Sequence, residues 1–179
     1  MKEINHLINH NFEKDFFNGK GSLSTESNIK NQTKIFEDLN SNIVANVLTK
    51  LKETFPNAKI ENWTHFFNLD RCIRFLVEIS GEQRFVGQLS IFGYFSVYKH
   101  SVQLVQDRYL YDEVLFYNLN ESPISNQLYN CFSSVSNETI WLEREILKHV
   151  FEDYSVLDDN PLFNYLITIA DILFTDHYL

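Results

Sequence analysis

His6 and His10 stand four residues apart in a segment with helical spacing, which puts both imidazoles on one face. Two imidazoles so placed can share a zinc-type ion, as in the HExxH arrangement, where a glutamate supplies the general base. Here Leu7-Ile8-Asn9 lie between them and provide no acid, so no metal is assigned to the pair. Glu145 and His149 repeat the spacing, flanked by Glu143 and Glu152. A di-iron carboxylate centre needs two Glu-x-x-His pairs three residues apart, so this segment reads as a helix with a surface ion-pair face. Asp171, Asp176 and His177 are a weaker grouping near the end of the sequence.

His100-Ser101 with Asp107 has the residue types of a nucleophilic triad, but neighbours on a strand point to opposite faces. Cys72 beside Arg71 resembles an activated thiolate. Its place at the start of an alternating run makes it a packed thiol instead. The sequence has no GxSxG elbow, GxxxxGK[ST] loop or GxGxxG fingerprint, and its five glycines give little material for a phosphate-cradling loop. No catalytic residue, metal or cofactor is therefore assigned.

Charge gives more direction. Of the 179 residues, 15 are Lys or Arg and 24 are Asp or Glu, for a formal net charge of −9. That balance excludes a general nucleic-acid binder, which needs a basic footprint to displace counterions from phosphates. The excess is also segregated. Up to Val105, 12 basic residues face 11 acidic ones, whereas from Gln106 onward 13 acidic residues meet only Arg108, Arg144 and Lys148. The acids come in pairs, Asp112-Glu113, Glu152-Asp153 and Asp158-Asp159, with Asp107 and Glu121 between them and Tyr109, Tyr111 and Tyr117 interleaved. Carboxylates beside tyrosines suit a surface that docks a basic protein, because charge steers encounter and Tyr supplies rigid contact area. Asp107, Tyr109, Tyr111, Asp112, Glu113, Glu152, Asp153, Asp158 and Asp159 are the candidate partner-binding residues.

The first ten residues are interrupted by polar side chains every two or three positions and hold no secretory h-region. The longest apolar run, Leu162 to Phe174, is broken by Asn164, Thr168 and Asp171, too short for the roughly 20 residues of a bilayer span. A cytoplasmic location, no membrane contact and two reduced thiols at Cys72 and Cys131 are expected. The Asn-x-Ser/Thr sequons at Asn31, Asn62, Asn120 and Asn137 are then chance products of an Asn-rich chain.

The elements that position these residues follow from periodicity. Ile4, Leu7, Ile8, Phe12 and Phe16 predict a helix over 4–17, before a polar loop from Ser22 to Gln32. Phe36 to Leu51 continues a helical period that Asn40-Ser41-Asn42 divides, with Ser41 or Asn42 capping the second piece and Pro56 ending it. Cys72–Ile79, Phe85–Ile91 and Tyr94–His100 alternate as half-buried strands, with Ser80-Gly81-Glu82-Gln83 as a turn. Glu113–Leu119 and Lys59–Phe67 are further strand candidates.

Ser122-Pro123 and Asn160-Pro161 each give an N-cap followed by proline, and Asn137 caps a longer helix carrying Leu142, Ile146, Leu147 and Val150. The expectation is a single α+β domain over 1–179: a central antiparallel meander of about four or five strands flanked by N-terminal and C-terminal helices. Its expected work is non-catalytic, as an immunity or inhibitor-type bacterial protein neutralising a basic toxin or nuclease. A small hydrolase-like enzyme drawing on His65, His100, Tyr98 and Glu78 is the alternative, and a regulatory subunit with an exposed apolar patch a third.

Overall fold

The computed structural model describes residues 1–12, 30–31, 33–34, 36, 42–64, 71–100, 115–136, 138–150 and 167–174, and the strand pairing of 102–105 with 108–111. In chain order the elements are α1 (Lys2–Asn11), α2 (Ile43–Thr54), β1 (Lys59–Asn62), β2 (Cys72–Ser80), β3 (Gln83–Ser90), β4 (Tyr94–Lys99), β5 (Val102–Val105), β6 (Arg108–Tyr111), β7 (Leu115–Phe116), α3 (Pro123–Ser133), β8 (Ile140–Trp141), α4 (Arg144–Leu147) and α5 (Ile169–Leu173). The α+β meander is present. The main sheet runs β1-β2-β3-β4-β7 with antiparallel neighbours, and β8 makes it mixed by pairing parallel to β4. β7 takes the Tyr98–Lys99 half of the β4 edge and β8 takes the Tyr94–Phe95 half.

Two turns set the register of the meander. β2 and β3 close through Gly81-Glu82, with Ser80 opposite Gln83, as the turn residues predict. Between β3 and β4, Ser90 Oγ accepts from the amides of Phe92 and Tyr94, and Gly93 sits at φ +81°. A Cβ on Gly93 would lie 2.7 Å from the Glu138 carbonyl oxygen, so glycine is required there by both conformation and space.

One face of the sheet packs Ile73, Phe75, Val77, Phe85, Leu89, Phe95 and Val97 against α2 and α3. Phe95 is the hub, with ring centroids 5.0 Å from Phe132, 5.4 Å from Trp141 and 5.5 Å from Tyr129. The other face packs Cys72, Leu76, Val86, Tyr94 and Tyr98 against α1, α4 and α5. The strands are therefore not the half-buried ribbons that alternation predicts: β2 is buried on both faces from Cys72 to Val77, because helices cover both sides.

The helices depart from expectation where partners outside the local segment take over. α1 stops at Asn11, with Phe12 already extended. α2 begins after Asn42 as predicted, although the Asn42 side chain makes no capping bond. Ser122 does cap α3, its Oγ accepting from the Ser125 amide, with Pro123 at the first helical position. The long helix expected after Asn137 is absent: Ile140–Trp141 extend to fill the open β4 edge, and only Arg144–Leu147 are helical. The C-terminal helix is likewise short, five residues capped by Thr168, whose Oγ1 accepts from the Asp171 amide while the Asp171 carboxylate accepts from the Thr168 amide. The Asn160-Pro161 signal lies outside the described residues.

Arg71 ties this short helix to the sheet. It is 0% exposed; its Nε donates to the Ile172 carbonyl at 2.7 Å and its Nη2 to the Asp171 carbonyl at 2.6 Å. Its guanidinium carbon sits 5.6 Å from the Phe12 ring centroid. The cation thus satisfies carbonyls of the last turn of α5, which have no partner within the helix. Arg71→Met is expected to lower unfolding free energy by on the order of 3 kcal/mol, since both carbonyls stay buried and lose a charge-assisted donor. Urea denaturation measures it, and a change within about 0.5 kcal/mol, the usual range for surface substitutions, would contradict the assignment.

Candidate functional site

The sheet face that carries α1 and α5 is built in rows of side chains across the strands, because residues paired in register share a side. Arg74, Gln88 and Ser96 form one row, buried and hydrogen-bonded: Arg74 Nε to Gln88 Oε1 at 3.2 Å and Gln88 Nε2 to Ser96 Oγ at 2.8 Å. Arg74 Nη2 also reaches the Cys72 sulfur at 3.3 Å. This polar row satisfies its own groups inside an apolar layer, so its chemistry is structural.

The next rows carry the candidate site. Glu61, Leu76, Val86 and Tyr98 align across β1 to β4, and beyond them Lys59, Glu78, Arg84 and His100 alternate in charge type. The last pairing is held by the His100 amide donating to the Arg84 carbonyl at 2.9 Å. Glu78, Tyr98 and His100, three of the four residues on which an enzyme reading would draw, are thus brought to adjacent rows; His65 lies outside the described residues. Trp63, whose amide bonds the Arg74 carbonyl, lays its indole edge-on against the His100 imidazole with centroids 5.0 Å apart. Its Nε1 donates to Glu61, which also pairs with Lys59. Arg84 carries no motif in the sequence, and Trp63, like Trp141, reads from sequence simply as a core or rim anchor. The Gly81-Glu82 turn placed Arg84 opposite Glu78, but nothing local predicts that Trp63 reaches His100.

Electrostatics follow the same geometry. Hydrogen bonds from Lys59 and then Trp63 hold the Glu61 carboxyl below the usual range. Burial, reinforced by Arg84, holds the His100 imidazole below its ordinary value. Its chemically available form near neutral pH is the uncharged base.

The other sequence candidates divide. His6 and His10 do share a face, rings stacked with centroids 6.2 Å apart, yet among the described residues no group of three potential ligands assembles. Glu145 lies in α4, but His149 lies past its end, so the two do not share a helix face. Cys72 and Cys131 are buried and unbridged, and burial pushes the Cys131 thiol up, which leaves it an inert packing group. Asp107, Asp112, Glu113, Glu152, Asp153, Asp158 and Asp159 lie outside the described residues. Tyr109 and Tyr111 fall on β6, where pairing with Leu104 and Val102 puts all four positions on one side of the β5–β6 ribbon. Among the described residues three acids of the same region are used internally: Glu121 pairs with Arg144, Glu143 accepts from the Leu119 amide, and Asp171 closes the α5 cap.

Comparison with protein-family models, curated proteins and solved structures finds no match to this chain. Among the described residues no helix is long and apolar enough to cross a membrane.

The depressed His100 value has a sign that can be checked. The unfolded chain takes up a proton at His100 at higher pH than the folded chain, so stability rises with pH between the depressed folded value and the ordinary value of about 6.5. Urea unfolding at about pH 5.5 and about pH 7.5 should show a steeper acid-side loss in the wild type than in His100→Gln. Equal losses would contradict the burial of this imidazole.

Proposed function

We propose that this chain is a protein-binding module of the immunity or inhibitor type, which neutralises a basic toxin or nuclease through an acidic, tyrosine-containing surface. The observation that carries the reading is charge segregation: 13 acidic against three basic residues from position 106 onward, against near balance before it. The fold adds support. Arg144, one of those three bases, is taken up by Glu121 and the Phe116 carbonyl. The β5–β6 ribbon sets Tyr109 and Tyr111 on one side, with Asp107 between its strands and Asp112-Glu113 directly after. Such a ribbon combines rigid aromatic area with steering charge. The reading places the protein in a bacterial cytoplasm, where an inhibitor of this type would meet its target before release.

A second reading, a small hydrolase-like enzyme, draws on one observation, the convergence of Glu78, Tyr98 and His100 at one end of the sheet.

The test is co-expression of the tagged chain with the product of its neighbouring gene, purification of the complex and measurement of association rate against salt. Changing Asp112, Glu113, Glu152 and Asp153 together to Lys is expected to slow association at least about tenfold at low salt, with far-UV circular dichroism unchanged. Absence of a complex at low salt, or binding indifferent to both salt and charge reversal, would overturn the reading.

A further inference from the structure

We propose that Arg84 and His100, walled by Trp63, form a binding site for a small oxyanion, a carboxylate or phosphate group, at the Lys59–Glu78–Arg84–His100 end of the sheet. The site is independent of the docking surface above, since none of its residues belongs to the acidic last part of the chain.

Arg84 holds a donor that is paired by charge but not by a hydrogen bond. Arg84 Nε is buried and makes no hydrogen bond: Glu78 Oε2 lies 3.3 Å away, outside hydrogen-bonding geometry. The side chain as a whole is 27% exposed, with Nε buried beneath it. Buried donors are nearly always matched in folded proteins, and a forked guanidinium matches the paired oxygens of carboxylate or phosphate. His100 stands just past the end of β4, its amide bonded to the Arg84 carbonyl, and its ring offers an N–H in either charge state. Among the described residues that imidazole makes no side-chain hydrogen bond, and its ring contact is Trp63, T-shaped at 5.0 Å.

The wall is itself held in place. Trp63 Nε1 donates to Glu61 at 2.9 Å, and Glu61 is paired to Lys59, so the indole is tied to its own strand on the side of the imidazole. Among the described residues the charged and titratable groups around His100 are Arg84 beside it, Glu78 and Lys59 along its row, and Glu61 and Tyr98 in the next. Glu78 is the competitor: its carboxylate occupies the position beside Arg84 that partly offsets the cation, and it repels an incoming anion.

That competition gives a test with opposite signs. The full chain, labelled with ¹⁵N and ¹³C, is titrated near neutral pH with sodium phosphate and with sodium acetate, against sodium chloride at matched ionic strength. The His100 ring and Trp63 indole resonances are the readout. Saturable shifts are expected with phosphate, acetate or both, and the more effective ion identifies which oxyanion the site prefers. Glu78→Gln should tighten binding severalfold, and Arg84→Gln should weaken it at least about tenfold.

Urea midpoints establish that the variants fold. If Arg84→Gln does not, Arg84→Lys, which keeps the charge and loses the fork, takes its place with the same expected weakening. Shifts reproduced by chloride, no saturable shift in either the wild type or Glu78→Gln, or binding retained when the guanidinium is removed would each overturn the site.

Discussion

The fold depends on burying one guanidinium. Arg71 enters β2 from the side on which α1 and α5 meet the sheet, with its side chain on the Asp171 and Ile172 carbonyls and its own backbone bonded to Phe174 and Ile91. Phe12, at the end of α1, lies against the same cation. An arginine is costly to desolvate unless its donors are satisfied, and a five-residue helix is too short to stand alone. Each resolves the other's difficulty: α5 supplies carbonyls and Arg71 supplies the donors they lack. Parts of the chain a hundred residues apart are thereby fixed to one point.

With that closure in place the sheet is covered on both faces, and this decides where chemistry can sit. The Arg74–Gln88–Ser96 row is polar but consumed by its own bonds, and the Phe95 cluster fills the opposite layer with aromatic contacts. The Lys59–Glu78–Arg84–His100 row, at the end of the sheet, keeps side chains that are both partly desolvated and incompletely matched. Acidic residues accumulate later in the chain, where, among the described residues, Glu121, Glu143 and Asp171 have internal partners.

Much of the fold was legible because its signals are local. The Ser122-Pro123 cap, the Gly81-Glu82 turn and the alternation of β2 to β4 depend on residues a few positions apart. The failures share a cause. Ile140 and Trp141 carry a sequence compatible with a helix, yet β4 offers an unpaired edge beside Gly93, and strand pairing takes them. Cys72, Arg74 and Leu76 alternate with Ile73, Phe75 and Val77 as a one-sided strand would, but helices from both ends of the chain bury the two sets alike. Of the candidate chemistry, Glu78, Tyr98 and His100 were visible as residue types. Arg84 and Trp63 become meaningful only through cross-strand register and a contact between β1 and the end of β4, which no local pattern encodes.

The most direct measurement is hydrogen–deuterium exchange of the chain alone and in complex with its basic partner, resolved by peptide. The account predicts that binding slows exchange in the segments carrying Asp107 to Glu113 and Glu152 to Asp159, and leaves α1, α2 and the Trp63–Arg84–His100 end unchanged. Slowing concentrated at that end of the sheet, with the acidic segments unaffected, would contradict the acidic docking surface and move the function to the oxyanion site.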